Sequence, residues 1–110
     1  MSVRPPRILA PDRGRAVFDA LDYEIMQEKA SALGRVTAAF EKALAAYSSV
    51  QAADDAAEAE REESTRAAAD ALWCFVVQRE ACGLGNTEAV LREYKVPKAL
   101  RLRMGVSRRS

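Results

Sequence analysis

The sequence predicts an all-α protein: a long antiparallel helical hairpin, two short C-terminal helices, and a bundle completed by self-association. Three observations carry this. Apolar residues recur every seven positions between Phe18 and Val50. No Val/Ile/Thr-rich alternation marks a strand anywhere. And "ALWCFVVQREACGLGN", Ala71 to Asn86, contains five consecutive apolar residues, Trp73 to Val77, which a helix buries only if several neighbours cover it.

In chain order, residues 1–14 hold three of the four prolines, and Gly14 closes the stretch. This composition predicts an extended N-terminal arm. A helix is expected from about Ala16 to about Tyr47. Met26, Leu33, Phe40 and Tyr47 fall on one seven-residue line, Phe18, Ile25, Ala32 and Ala39 on a second, and Val36, Ala43 and Val50 on a third. The stripe is wider than a two-stranded seam requires, so it contacts more than one neighbour. Gly34 costs about 1 kcal/mol against Ala inside a helix. Close helix approach is its expected reason, with Ser31 and Ala30 extending a small-residue surface. Residues 48–54 are the expected turn, with Asp54 or Asp55 capping a second helix and Glu58 adding to the favourable charge at its start. Ala and Gln in this stretch would also allow one continuous helix of about 65 residues, about 100 Å long.

The second helix is expected from Asp55 to Cys82, stopped by a left-handed Gly83. Asn86 suits the cap of a third, Thr87 to Tyr94. Pro97 suits the first position of a fourth, which ends near Met104 before Gly105. Residues 15–105 thus make one helical domain, and 106–110 a basic tail. A hairpin turning near residue 51 places facing positions at a sum of about 103. Tyr47 then faces Ala56, Leu44 faces Ala59 and Val36 faces Ala67, while Trp73–Val77 lie opposite Met26–Ala30. The first helix covers one face of that apolar run and the short helices a second. The economical cover for a third face is another copy of the chain, giving a homodimer or higher oligomer.

With 110 residues and a formal charge of +1, the chain has no global bias toward nucleic acid or membrane, but its charge is segmented. Six acids lie in residues 54–63 against Arg61, and residues 95–110 carry six bases and no acid. In an antiparallel dimer the acidic tip of one hairpin meets the basic C-terminal segment of the other. The acidic run itself reads as a solvated helix face. No apolar stretch reaches the ~20 residues of a membrane span, and "MSVRPPRILAPDRGR" lacks a signal-peptide core. Cys74 and Cys82 are eight positions apart on one helix, about 12 Å, too far for a disulfide. They read as reduced thiols of a cytoplasmic protein.

The chain has no His, which removes most metal and acid–base constellations. There is no phosphate-binding loop or dinucleotide fingerprint, and "GLG" at 83–85 is a helix stop. No cofactor, metal or catalytic residue is predicted. The expected register gathers Tyr23, Glu24, Gln27, Glu28, Gln78, Arg79 and Glu80 at the base of the hairpin, with Glu24 opposite Arg79 and Ile25 opposite Gln78. Two readings fit: a polar pocket whose Arg receives an anion, or charge pairs that fix register or a dimer contact. The C-terminal "NTEAVLREYKVPKALRLRMGVSRRS" invites a helix-turn-helix reading with Lys98, Arg101, Arg103, Arg108 and Arg109 on phosphates. Its helices are short, the second carries apolar residues at 99, 100, 102 and 104, and it lacks base-reading Asn or Gln.

"ALDYEIMQEKASALGR" and "VVQREACGLGN…VLREYKVPKALRLRMG" resemble a small family of uncharacterised bacterial proteins, a domain of unknown function. The resemblance covers the first half of the first helix and residues 73–105. It implies an all-helical cytoplasmic protein and transfers no activity, cofactor or catalytic residue. The function expected is a non-enzymatic structural or protein-interaction module that self-associates. The alternative is a nucleic-acid-associated regulator acting through the basic C-terminus.

Overall fold

In the computed structural model of the chain, four helices follow one another: α1 Arg4–Ala52, α2 Glu58–Ala81, α3 Thr87–Glu93 and α4 Lys98–Arg103. The structure describes the backbone of residues 4–105 and the side chains of residues 14–105. The protein is all-α, with no strand among the described residues, and no helix among them is long and apolar enough to cross a membrane. The molecule measures 83 × 25 × 22 Å and its radius of gyration is 21.8 Å, against about 13 Å for a compact chain of this length.

The elongation comes from α1. Its 49 residues span about 73 Å, and the 24 of α2 only about 36 Å. The helix starts at Arg4, so residues 4–14 are helical where an extended arm was expected. Pro5 and Pro6 fall in the first turn, where a missing N–H has no intrahelical acceptor to disappoint. Pro11 lies deeper and removes one ladder bond. The helix continues through it.

The break between α1 and α2 is at Ala53–Ala57, a few residues later than the expected turn. Ala57 is the N-cap of α2 and makes no side-chain cap bond, so neither Asp54 nor Asp55 serves as the cap. The C-terminal end of α1 is satisfied from outside. The Arg61 guanidinium donates to the carbonyls of Gln51 and Ala53 and supplies the cation that the last turn of α1 lacks.

From this break α2 runs back along α1. Phe40 stacks on Phe75, ring centroids 4.9 Å apart, and the Cys82 thiol lies 3.5 Å from the Lys29 carbonyl. Facing positions therefore add to 111–115 and not to 103. A turn centred four residues later slides the whole register. The pairs expected from the earlier turn, Tyr47–Ala56, Leu44–Ala59, Val36–Ala67 and Glu24–Arg79, are displaced with it.

The core is Phe40, Tyr47, Ala68, Leu72, Phe75, Leu91 and Leu100. It answers what covers the apolar run after Leu72. Tyr94 meets both Phe40 and Phe75 edge-on, at 5.2 and 5.9 Å. Leu91 of α3 and Leu100 of α4 complete the cover. Trp73 lies against Gly105, where a Cβ would come within 3.1 Å of the indole. Gly105 has φ +82°, so the position suits glycine on both counts. Only Val77 of the run is exposed, at 42%. The face that was to be left for a second copy is covered within the chain. Gly34 is also corrected: it is exposed, and a Cβ there would meet nothing within 4 Å, so no close approach inside the chain accounts for it.

Candidate functional site

The α2 C-terminus explains where Arg79 goes. Gly83 at φ +76° lets its own N–H reach the Glu80 carbonyl while the Leu84 N–H reaches that of Arg79, both at 3.0 Å. This pair of bonds closes the helix in a Schellman turn. The Arg79 side chain folds over the same turn and donates through Nη2 to the Gly85 carbonyl. Its guanidinium carbon lies 5.9 Å from the Phe75 ring centroid, within range of a cation–π contact. Its Nε is buried and has no hydrogen-bond partner. Arg79 thus locks the loop between α2 and α3.

Beside it, the Tyr94 hydroxyl donates to Glu41 Oε2 at 2.6 Å. That bond, with some burial and the charge of Glu41 itself, raises the Tyr94 pKa. Residues 41 and 94 are 53 positions apart, and nothing in the sequence joins them. Together Phe40, Glu41, Phe75, Arg79 and Tyr94 pin α3 onto the α1–α2 pair.

The seven residues expected to gather at the hairpin base fall into two groups. Tyr23, Glu24, Gln27 and Glu28 are all exposed on α1. Gln27 donates to the Tyr23 hydroxyl at 3.0 Å, and Glu28 approaches Arg35 at 3.9 Å. Glu24, Gln27 and Glu28 line a shallow hollow with Ala30 and Ser31, all from a single helix. Gln78, Arg79 and Glu80 lie on α2, about two to three turns beyond the register that would have paired them with Glu24. Gln78 contacts the Cys82 sulfur, and Glu80 is exposed.

Two of the basic C-terminal residues, Arg101 and Arg103, are engaged in ion pairs. Arg103 forms a two-pronged pair with Glu62, Nη2 to Oε2 at 2.6 Å and Nη1 to Oε1 at 3.2 Å. Arg101 pairs with Glu88. These bonds lower the Glu62 and Glu88 pKa values and raise those of both arginines. The acidic tip does meet the basic segment, but inside one chain. Lys98 is exposed at the start of α4, and Arg108 and Arg109 lie outside the described residues. Elsewhere on the tip, Arg66 pairs with Glu63 and Asp70, which fits a solvated face. Cys74 and Cys82 form no disulfide, and both are partly buried.

One apolar surface among the described residues was not expected from the sequence. Beyond the end of α2, α1 projects with Val17 59%, Phe18 70%, Leu21 49%, Ile25 52% and Met26 69% exposed. Met26 continues the line whose later members, Phe40 and Tyr47, pack in the bundle, and Ile25 and Phe18 lie on the line beside it. The signal was present in the mismatch between a periodic stripe of over thirty residues and a second helix too short to cover it.

The geometry defines an elongated all-α protein: a compact end of four helices and a single projecting helix with an uncovered apolar face. The family of unknown function DUF6665 matches residues 2–110, and the chain belongs to that family. No curated protein and no solved structure matches it.

Proposed function

We propose that the protein is a non-enzymatic structural or protein-interaction module that self-associates through its α1–α2 helical hairpin, working in the cytoplasm. The observation that carries this is the apolar face of α1 left bare between Val17 and Met26. Contiguous exposed apolar surface of this kind marks interaction sites. The absence of His and of any nucleophile constellation from the sequence supports a role without catalysis. Two cysteines without a disulfide fit a reducing compartment.

Light-scattering mass on a sizing column, at two protein and two salt concentrations, tests the reading. A mass of twice the monomer or more is expected at the higher protein concentration in both salts. A monomer under all four conditions counts against it. The alternative, nucleic-acid binding by the basic C-terminus, is weakened by the engagement of Arg101 and Arg103 with Glu88 and Glu62. Filter binding of random duplex DNA separates the two, since phosphate-driven retention falls steeply with salt.

A further inference from the structure

We propose that two copies of the chain pair antiparallel through the projecting half of α1, with the two-fold axis between Ile25 and Met26. Asp22 of each copy then lies against Lys29 of the other. This rests on the self-association reading above and names the surface that performs it.

The first support is continuity. The line that packs in the bundle as Phe40 and Tyr47 continues outward as Met26, and its neighbour line continues as Ile25 and Phe18. The occupant that extends the α1–α2 packing is another helix. The second support is the third line, apolar in the bundle as Val36, Ala43 and Val50. Outward it becomes Lys29 and Asp22, two opposite charges inside an apolar stripe. Seven residues place them about 10 Å apart along the axis, beyond the three- or four-residue spacing at which helix side chains pair. Neither belongs to an ion pair among the described residues.

Laying a second copy antiparallel about the Ile25–Met26 axis resolves both charges at once. Asp22 comes level with the partner's Lys29, and Lys29 with the partner's Asp22. Ile25 comes level with the partner's Met26, and Phe18 with the partner's Leu33. A parallel pair would set like charges side by side. Charges inside a helical seam fix register and orientation in this way. The arrangement is isologous and closes as a dimer.

The landing point of Phe18 is also provided. Met26, Ala30, Leu33, Cys82 and Leu84, with Lys29 among them, line a mostly apolar groove of about 220 Å³ at the end of α2, and Leu84 is 42% exposed. Covering Phe18, Ile25, Met26 and their flanks in both copies removes on the order of 1,000 Å² from solvent, the size at which specific interfaces begin.

Charge exchange tests the register. Asp22 and Lys29 are exposed in the monomer, so Asp22→Lys and Lys29→Asp are expected to keep the wild-type helical circular dichroism. Each alone converts two attractive pairs into two repulsive ones and should weaken the dimer at least about ten-fold in sedimentation equilibrium. Mixing the two single variants should recover a dimer of wild-type affinity, and so should the double variant. Phe18→Glu should abolish the dimer, with no rescue from either charge variant. A wild-type dimer that ignores the single exchanges, or single exchanges that mixing does not repair, overturns the proposed register and leaves self-association standing. A wild-type chain that stays monomeric at the highest concentration overturns both.

Discussion

The two halves of α1 share one pattern and have opposite fates. From Leu33 to Val50 the line through Phe40 and Tyr47 is packed: Phe40 is fully buried and Tyr47 nearly so. From Val17 to Met26 the same lines are bare, with Phe18 70% and Met26 69% exposed. The difference lies in what runs alongside. α2 ends at Ala81, level with about Lys29. A hydrophobic period tells which side of a helix avoids water, and says nothing of which element covers it.

The sharpest way to break this comparison is to truncate one aromatic ring from each half. Phe75→Ala removes the ring stacked on Phe40 and edged by Tyr94. It should cost about 3–5 kcal/mol in urea unfolding. Phe18→Ala should cost no more than about 0.5 kcal/mol under conditions where the protein is monomeric. Equal losses would mean that the projecting half is folded onto something in the monomer.

Gly105→Ala probes the packed end from the other side. The new methyl would stand 3.1 Å from the Trp73 ring at a φ of +82°. About 1–2 kcal/mol should be lost, from backbone strain and crowding together. A blue shift or broadening of the single-Trp fluorescence should accompany it. Unchanged stability and emission would show that Trp73 does not need the glycine.

How much of this was legible depends on distance along the chain. The all-α class, the Gly83 stop and the membership of Leu72 and Phe75 in an apolar helix were readable because they are local. The Gly83 signal was a single residue type at a helix end, and φ +76° is its consequence. The register was not readable, because it hangs on where a low-contrast stretch of Ala, Gln and Asp breaks. Moving that break by four residues moved Arg79 about two turns or more from Glu24. The N-terminal arm failed for a different reason. Prolines count as breakers, yet two of the three sit in the only turn that tolerates them. Tyr94–Glu41 and Arg103–Glu62 were out of reach because each joins residues more than forty positions apart.

Tyr94→Phe is expected to be milder than either core change. Losing the 2.6 Å bond to Glu41 should cost about 0.5–1 kcal/mol, reduced by the solvent exposure of the pair. Because the folded state raises the Tyr94 pKa, it holds the phenolic proton more tightly than the unfolded chain. This group's contribution is complete below pH 10, the ordinary tyrosine value, and fades as pH rises through the raised one. The alkaline limb of the stability profile should therefore be shallower in Tyr94→Phe than in the wild type.

The smallest effect sharpens the contrast between the ends most directly. At the packed end, Glu62 holds Arg103 and has a lowered pKa. Its contribution is complete above pH 4.5, the ordinary value, and is lost as pH falls through the lowered one. Glu62→Gln should flatten part of the acid limb and leave neutral-pH stability almost unchanged, since exposed pairs contribute little. The same variant bears on function. Releasing Arg103 from Glu62, and Arg101 from Glu88 by Glu88→Gln, returns two guanidiniums to the surface. If the C-terminal end served nucleic acid, the double variant should retain duplex DNA more strongly than the wild type at low salt, and the gain should vanish as salt rises. If the working surface is the bare half of α1, DNA retention should stay at background in both proteins, and the dimer mass should be the same in both.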